Sequence, residues 1–221
     1  MMDTGTLLAA FAVGVLGGVH CLGMCGGIVG AISVSHAGSA SATWPRLLAY
    51  NLGRMSSYVV AGALAGLLGG ALLGALPQGQ RLLELLAAVF LILLGLYLGG
   101  WWPVLARLER VGGRVWRRIE PLGRRFIPVR HVGQAFVVGG VWGWLPCGLV
   151  YSVLVWTLAA GSAADGALLM AAFALGTLPN LMLMGLFAAQ LARFVRNDRF
   201  RQVAGGLLIA YGVWRIFSIL A

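Results

Sequence analysis

Every cysteine in this chain lies beside residues that disturb a helix. Residues 17–27 read Gly17-Gly18-Val19-His20-Cys21-Leu22-Gly23-Met24-Cys25-Gly26-Gly27, five glycines interleaved with two thiols, an imidazole and a thioether. On a helix Cys21 and Cys25, four apart, share one face, and His20 and Met24 share the neighbouring one. The third thiol follows a proline in Trp142-Gly143-Trp144-Leu145-Pro146-Cys147-Gly148. Proline lacks the backbone donor and kinks a helix, which places Cys147 at a break. A single cysteine in an apolar segment is usually a small packing residue, but three gathered at two such points suggest chemistry. One chemistry is thiol–disulfide exchange through Cys21, Cys25 and Cys147, which needs an attacking thiolate and a second sulfur within bonding reach. The other is binding of a soft ion, Cu(I) above all, by His20, Cys21, Met24 and Cys25. Exchange requires no cofactor, and the second reading brings in Cu(I). No phosphate-cradling glycine loop, zincin motif or Ser/His/Asp arrangement is present, which disfavours an ATP-driven pump or a hydrolase.

Other polar residues lie within apolar runs, where they mark pathways or hold helices together. Tyr50, Asn51, Arg54, Ser56 and Ser57 open the second run, and Thr177, Pro179 and Asn180 sit in the fifth. Of these, Asn51, Arg54, Pro179 and Asn180, with Pro146, are taken as residues supporting the cysteines. Arg54 reads first as a side chain snorkelling to the cytoplasmic interface. His36 and His131, near run ends, read as neither ligands nor catalysts.

The elements that must position these groups are membrane spans. Of 221 residues 60% are hydrophobic and 10% charged, a balance that excludes both an ordinary soluble domain and a disordered chain. Six apolar runs of about 20 residues or more each reach across a bilayer: about Leu7–Val34, Leu47–Gly74, Leu82–Trp102, Val132–Ala160, Gly166–Ala192 and Val203–Leu220. The runs are continuous, without the alternation of a barrel strand, so the expected fold is an all-α integral membrane protein. The segment before the first run carries no basic residue, so that run reads as an uncleaved span.

All 16 basic residues are arginines, giving a net charge of +10. They lie between spans, which argues for topology and lipid headgroups and against nucleic acid. Arg46, Arg54, the eight arginines from Arg107 to Arg130, and Arg193, Arg196, Arg199 and Arg201 fall on one side, against Arg81 and Arg215 on the other. The richer side is the cytoplasm, which puts both termini outside it, in a multi-pass protein of a bacterial inner membrane.

Landmarks recur at a near-constant offset. Cys25 and Cys147 are 122 positions apart, Leu52-Gly53 and Leu175-Gly176 are 123 apart, and Arg81 and Arg201 are 120 apart. Three spans per copy is an odd number, so the expectation is two inverted three-helix repeats, residues 1–102 and 132–221. Between them, residues 103–131 space Leu105, Leu108, Val111, Val115, Trp116 and Ile119 as an amphipathic helix among arginines, expected to lie on the anionic cytoplasmic leaflet or to receive a cytoplasmic partner.

Four motifs together carry a resemblance: residues Gly18 to Gly27, Tyr50-Asn51-Leu52-Gly53-Arg54, Leu145-Pro146-Cys147-Gly148-Leu149-Val150-Tyr151 and Leu175-Gly176-Thr177-Leu178-Pro179-Asn180. In this order they resemble the UreH-like transmembrane family, also labelled sulfite exporter TauE/SafE, which is related to the DsbD/CcdA cytochrome-biogenesis membrane proteins. The resemblance implies that one cysteine in span 1 and one in span 4 pass reducing equivalents from a thioredoxin-like cytoplasmic protein to outer acceptors, supporting maturation of extracytoplasmic metalloproteins such as respiratory cytochromes and oxidases. Cys147 after Pro146 matches that pattern. Span 1 departs from it, with no proline beside its cysteines and with His20 and Met24 added, which fits the handling of copper or another heavy metal, with a copper chaperone as partner. A non-catalytic membrane assembly factor is the third reading. Sulfite export would need fixed positive charge at depth, for which Arg54 and Arg215 are the candidates.

Overall fold

The computed structural model describes residues 3–18, 21, 25, 29, 40–75, 79–102, 105–126, 128–145, 147–195 and 198–220. Among these, all regular structure is helical: α1 (Thr4–Leu16), α2 (Ala40–Ala75), α3 (Gly79–Leu98), α4 (Leu105–Arg124), α5 (Val132–Trp142), α6 (Gly148–Ala160), α7 (Ala163–Val195) and α8 (Asp198–Leu220). Hydrocarbon offers no partners for backbone polar groups, so continuous apolar runs close their hydrogen bonds internally. Stretches within α2, α3, α7 and α8 are long and apolar enough to cross a membrane: Thr43–Leu73, Gly79–Leu98, Ala163–Met184 and Gln202–Leu220. The chain is therefore a multi-pass, all-helical membrane protein. The four helices correspond to the second, third, fifth and sixth expected spans. Where the fourth was expected, two shorter apolar helices, α5 and α6, stand end to end.

The centre of the bundle is α2 against α7, flanked by α1 on α7 and α5 on α2, while α3 pairs with α8 and packs on α6. Lipid tails are as apolar as leucine, so these contacts rest on close packing and polar links more than on the hydrophobic effect. Glycines permit the closest approaches. A β-carbon at Gly62 would strike the carbonyl oxygen of Gly166 and one at Gly166 that of Gly62; Gly95 and Gly205 stand in the same relation between α3 and α8. Leucines such as Leu64, Leu67 and Leu68 point outward, as a lipid-facing surface requires.

α6 ends in a left-handed residue, Gly161, at φ 70°, a helix stop that glycine adopts without a Cβ penalty. The next helix begins at once, because Ser162 Oγ accepts the Asp165 N–H at 3.1 Å and donates to Asp165 Oδ2 at 2.9 Å, the two-way cap that fixes a helix start.

α4 carries the expected amphipathic pattern, and two residues of its apolar side are set against the protein: Leu105 and Trp116 are buried, and Trp116 meets Trp142 edge-on at 5.5 Å between ring centroids and 79° between planes. Arg114, Arg117 and Arg118 are exposed. α4 also packs on α3, α5 and α6.

Candidate functional site

α1 ends at Leu16 with Gly17 as its cap, but helical hydrogen bonds carry on past that glycine. The Gly17 N–H bonds the Val13 carbonyl at 2.9 Å and the Cys21 N–H bonds the Gly17 carbonyl at 3.1 Å, the i to i−4 ladder of a helix. Cys21, Cys25 and Val29 are helical and buried, so the shared face read from their spacing continues the buried stripe Ala10, Val13, Gly14 and Gly17. His20 and Met24 lie outside the described residues.

Span 4 does break. α5 closes on Gly143, whose N–H reaches the Gly139 carbonyl, and the next two N–H groups turn back to Val141 and Trp142. Pro146 lies outside the described residues, but its neighbour Cys147 is extended, φ −118° and ψ 146°, and caps the start of α6. The sequence implied a kink; the helix in fact stops and restarts. A sulfur at this position faces the positive end of a helix dipole, where negative charge is favoured.

These two segments and α2 and α7 enclose one small cavity. Its lining includes Cys21, Cys25, Cys147, Arg54, Tyr58 and Trp142, with Phe173 and Thr177 from α7. Its volume is about 10 Å³, the threshold for holding one water. All three cysteines are free thiols. Among the described residues no three of His, Cys, Asp and Glu are grouped closely enough to hold a metal ion.

Arg54 is the principal correction to the sequence reading. It does not snorkel to an interface but is 3% exposed and lines the thiol cavity. Its Nη2 donates to Tyr58 Oη at 2.7 Å, while its Nε is buried without a partner. The guanidinium carbon lies 5.2 Å from the Tyr58 ring centroid; because Nη2 already engages the hydroxyl, the hydrogen bond is the main contact. One turn before Arg54 on α2, the Tyr50 hydroxyl is also buried and unpartnered.

The remaining candidates act on the scaffold. Asn180 Nδ2 donates to the carbonyls of Gly14 at 3.2 Å and Val15 at 2.9 Å, tying α7 to the end of α1. Pro179 lies inside α7 and leaves it continuous. Asn51 bonds only its own helix, at the Leu47 carbonyl, 2.8 Å, and Thr177 bonds the Ala174 carbonyl. Sequence reasoning missed Ser57 as a contributor. Its hydroxyl donates to the Gly140 carbonyl at 2.7 Å, a group left open where α5 ends. Tyr58 and Trp142 were missed as well. Tyr58 carried a signal, since it stands four residues after Arg54 on one helix face.

Residues 9–214 match the family described as cytochrome c biogenesis protein transmembrane region. That stretch contains all three cysteines, Arg54, and both segments that carry the thiols. The chain belongs to this family. Comparison with curated proteins and with solved structures gave no match. The family match supports the DsbD/CcdA side of the resemblance and carries nothing for the UreH-like or sulfite-exporter labels.

The protein has a second, larger cavity of about 260 Å³. Asp3, Gln80, Glu84, Trp156, Asp165 and Arg215 are among its lining residues, and Arg215 Nη2 approaches Glu84 Oε2 to 3.8 Å. The two cavities share helices: Trp156 lies six residues after Val150 on α6, and Leu169 four before Phe173 on α7. In sequence Val153 and Met170, both fully buried, fall between the two sets of lining residues.

Proposed function

We propose that this protein is a transmembrane thiol–disulfide oxidoreductase. It takes reducing equivalents from a thioredoxin-like protein in the cytoplasm and passes them outward to proteins that mature extracytoplasmic cytochromes or oxidases. The observation that carries this reading is the convergence of all three cysteines on one cavity, with Cys147 extended at the break between α5 and α6. The larger cavity, lined from the same two helices α6 and α7, suits the port at which the outer acceptor arrives. Two inverted three-helix repeats would explain the scaffold. Gly53 and Gly176, 123 positions apart, each abut a short-helix carbonyl, of Phe136 and Phe11, which are 125 apart. Ser57 and Asn180, again 123 apart, donate to the carbonyls of Gly140 and Val15, again 125 apart. On this reading the membrane is the bacterial inner membrane.

Thiol trapping tests the function. Each cysteine is alkylated in membranes under reducing and oxidising conditions, with and without copper. We expect Cys147 and one span 1 cysteine to shift together between reduced and oxidised forms; a state that never changes, with cytochrome maturation intact in a cysteine-free variant, would leave only a non-catalytic assembly role.

Cu(I) handling is the second reading, favoured by two thiols on one helical face beside His20 and Met24 in sequence. Sulfur donors suit Cu(I), yet the described residues provide no group of three, so His20 or Met24 would have to complete the site. Met24→Leu conserves volume and should cost less than about 1.5 kcal/mol. Loss of copper binding in His20→Ala with Met24→Leu, with cysteine cycling retained, would assign metal handling; unchanged copper binding removes that reading.

A further inference from the structure

We propose that Arg54 is the counter-ion of the thiolate released during exchange at this cavity. This rests on the oxidoreductase reading and adds a residue to it. A guanidinium inside a membrane-spanning bundle is costly unless something negative faces it. Among the described residues no carboxylate lines the cavity, and Trp142, Leu145, Leu149, Val150, Phe173 and Thr177 bring no charge. The groups there that can lose a proton are Cys21, Cys25 and Cys147 and the phenol of Tyr58, which receives the Arg54 hydrogen bond as a neutral partner. Among the described residues the buried Nε has no acceptor. A cavity of about 10 Å³ admits a water and no polyatomic anion, so the negative charge must come from the lining.

The chemistry supplies it. When a donor dithiol reduces a disulfide between Cys147 and a span 1 cysteine, one donor sulfur bonds to one of these sulfurs. The intramolecular S–S bond breaks, and its electron pair leaves on the other sulfur as a thiolate. The second donor thiol then displaces the mixed disulfide. Two electrons and two protons have moved from the donor dithiol, which ends as a disulfide. In an apolar cavity each departing thiolate needs a cation, and a guanidinium offers donors in a fixed fork.

The test uses the full-length protein in lipid nanodiscs, oxidised and then reduced with dithiothreitol, the rate being followed by thiol trapping across pH. Arg54→Gln should slow reduction at least about ten-fold near neutral pH, the factor one charge-assisted hydrogen bond is worth, and by a similar factor across pH, because the attacking thiolate is the reagent's in both variants. Arg54→Lys, which keeps the charge, should recover most of the rate. Wild-type exchange with an Arg54→Gln rate equal to it at every pH would overturn the counter-ion role and leave the oxidoreductase reading standing; no exchange in the wild type overturns both. Sulfite binding lost in Arg54→Gln with exchange unchanged would place Arg54 in an anion path instead. A wild-type measurement covers a Gln variant that fails to fold. Once exchange has opened the site to reagents of dithiothreitol's size, iodoacetate, an anion, should alkylate the cavity thiols faster relative to neutral iodoacetamide than it does a free thiol, and an equal or lower ratio would overturn the proposal.

Discussion

Cys147 differs from the other two cysteines in what its backbone does. It is extended and caps α6, whereas Cys21 and Cys25 are helical, so Cys147 can turn toward either span 1 thiol if the helices approach. A disulfide needs α-carbons within about 7 Å. The repeat offset favours Cys25, and we expect Cys25→Ser to abolish the mobility-shifted oxidised form while Cys21→Ser preserves it; the reverse result would name Cys21 as the partner. Ser57 illustrates a different residue-scale role. The last carbonyls of a helix have no internal donor, and Ser57 supplies one to Gly140 from the neighbouring helix. Removing it in Ser57→Ala should lower stability by about 1–2 kcal/mol, read as a fall in thermal unfolding temperature in detergent. A change within error would mean that another group takes over the carbonyl. Ser57 was visible in the sequence only as one of several polar residues opening a span, because which carbonyl it serves depends on where α5 happens to end.

At the scale of elements, neighbouring glycines of one helix serve different ends. Gly205 of α8 faces the Gly95 carbonyl of α3, while a β-carbon at Gly206 would meet nothing within 4 Å. Gly205→Ala should therefore destabilise the bundle by about 1–3 kcal/mol through overpacking. Gly206→Ala should be neutral or stabilising by up to about 1 kcal/mol, since alanine is the better helix former. Unfolding of the two variants side by side checks this, and equal effects would contradict the α3–α8 packing. Sequence alone identifies both positions as glycine-rich packing surface without separating them. For α4 the amphipathic spacing was readable, but what covers its apolar face was not. With Trp116 set against Trp142 and Trp142 lining the thiol cavity, α4 lies over one approach to the cysteines. Trp116→Ala should accelerate alkylation of Cys147 by a reagent added from the cytoplasmic side, measured in inverted vesicles; an unchanged rate would mean that α4 does not cover that approach.

For the molecule as a whole, the arginine distribution predicts that the cytoplasm lies on the side of Arg46 and the Arg107–Arg130 segment. A reporter fused at Ala221 that works only outside the cytoplasm should be active, and one active only in the cytoplasm should be silent; the opposite pattern would reverse the proposed direction of electron flow. Membrane class, helical content and the location of the cysteines followed from sequence by itself, because hydrocarbon forces backbone bonds inward and leaves apolar run length as a direct signal. The turn from kink to full stop at Cys147 did not, since a proline can be accommodated by bending or by breaking, and neighbouring helices decide which. Pro179 sits in a continuous α7, while the segment around Cys147 is interrupted. Burial of Arg54 likewise belongs to tertiary structure. A long side chain near a span end can reach water or turn inward, and only the packing of α2 beside α5, α6 and α7 places this guanidinium in the same cavity as three thiols.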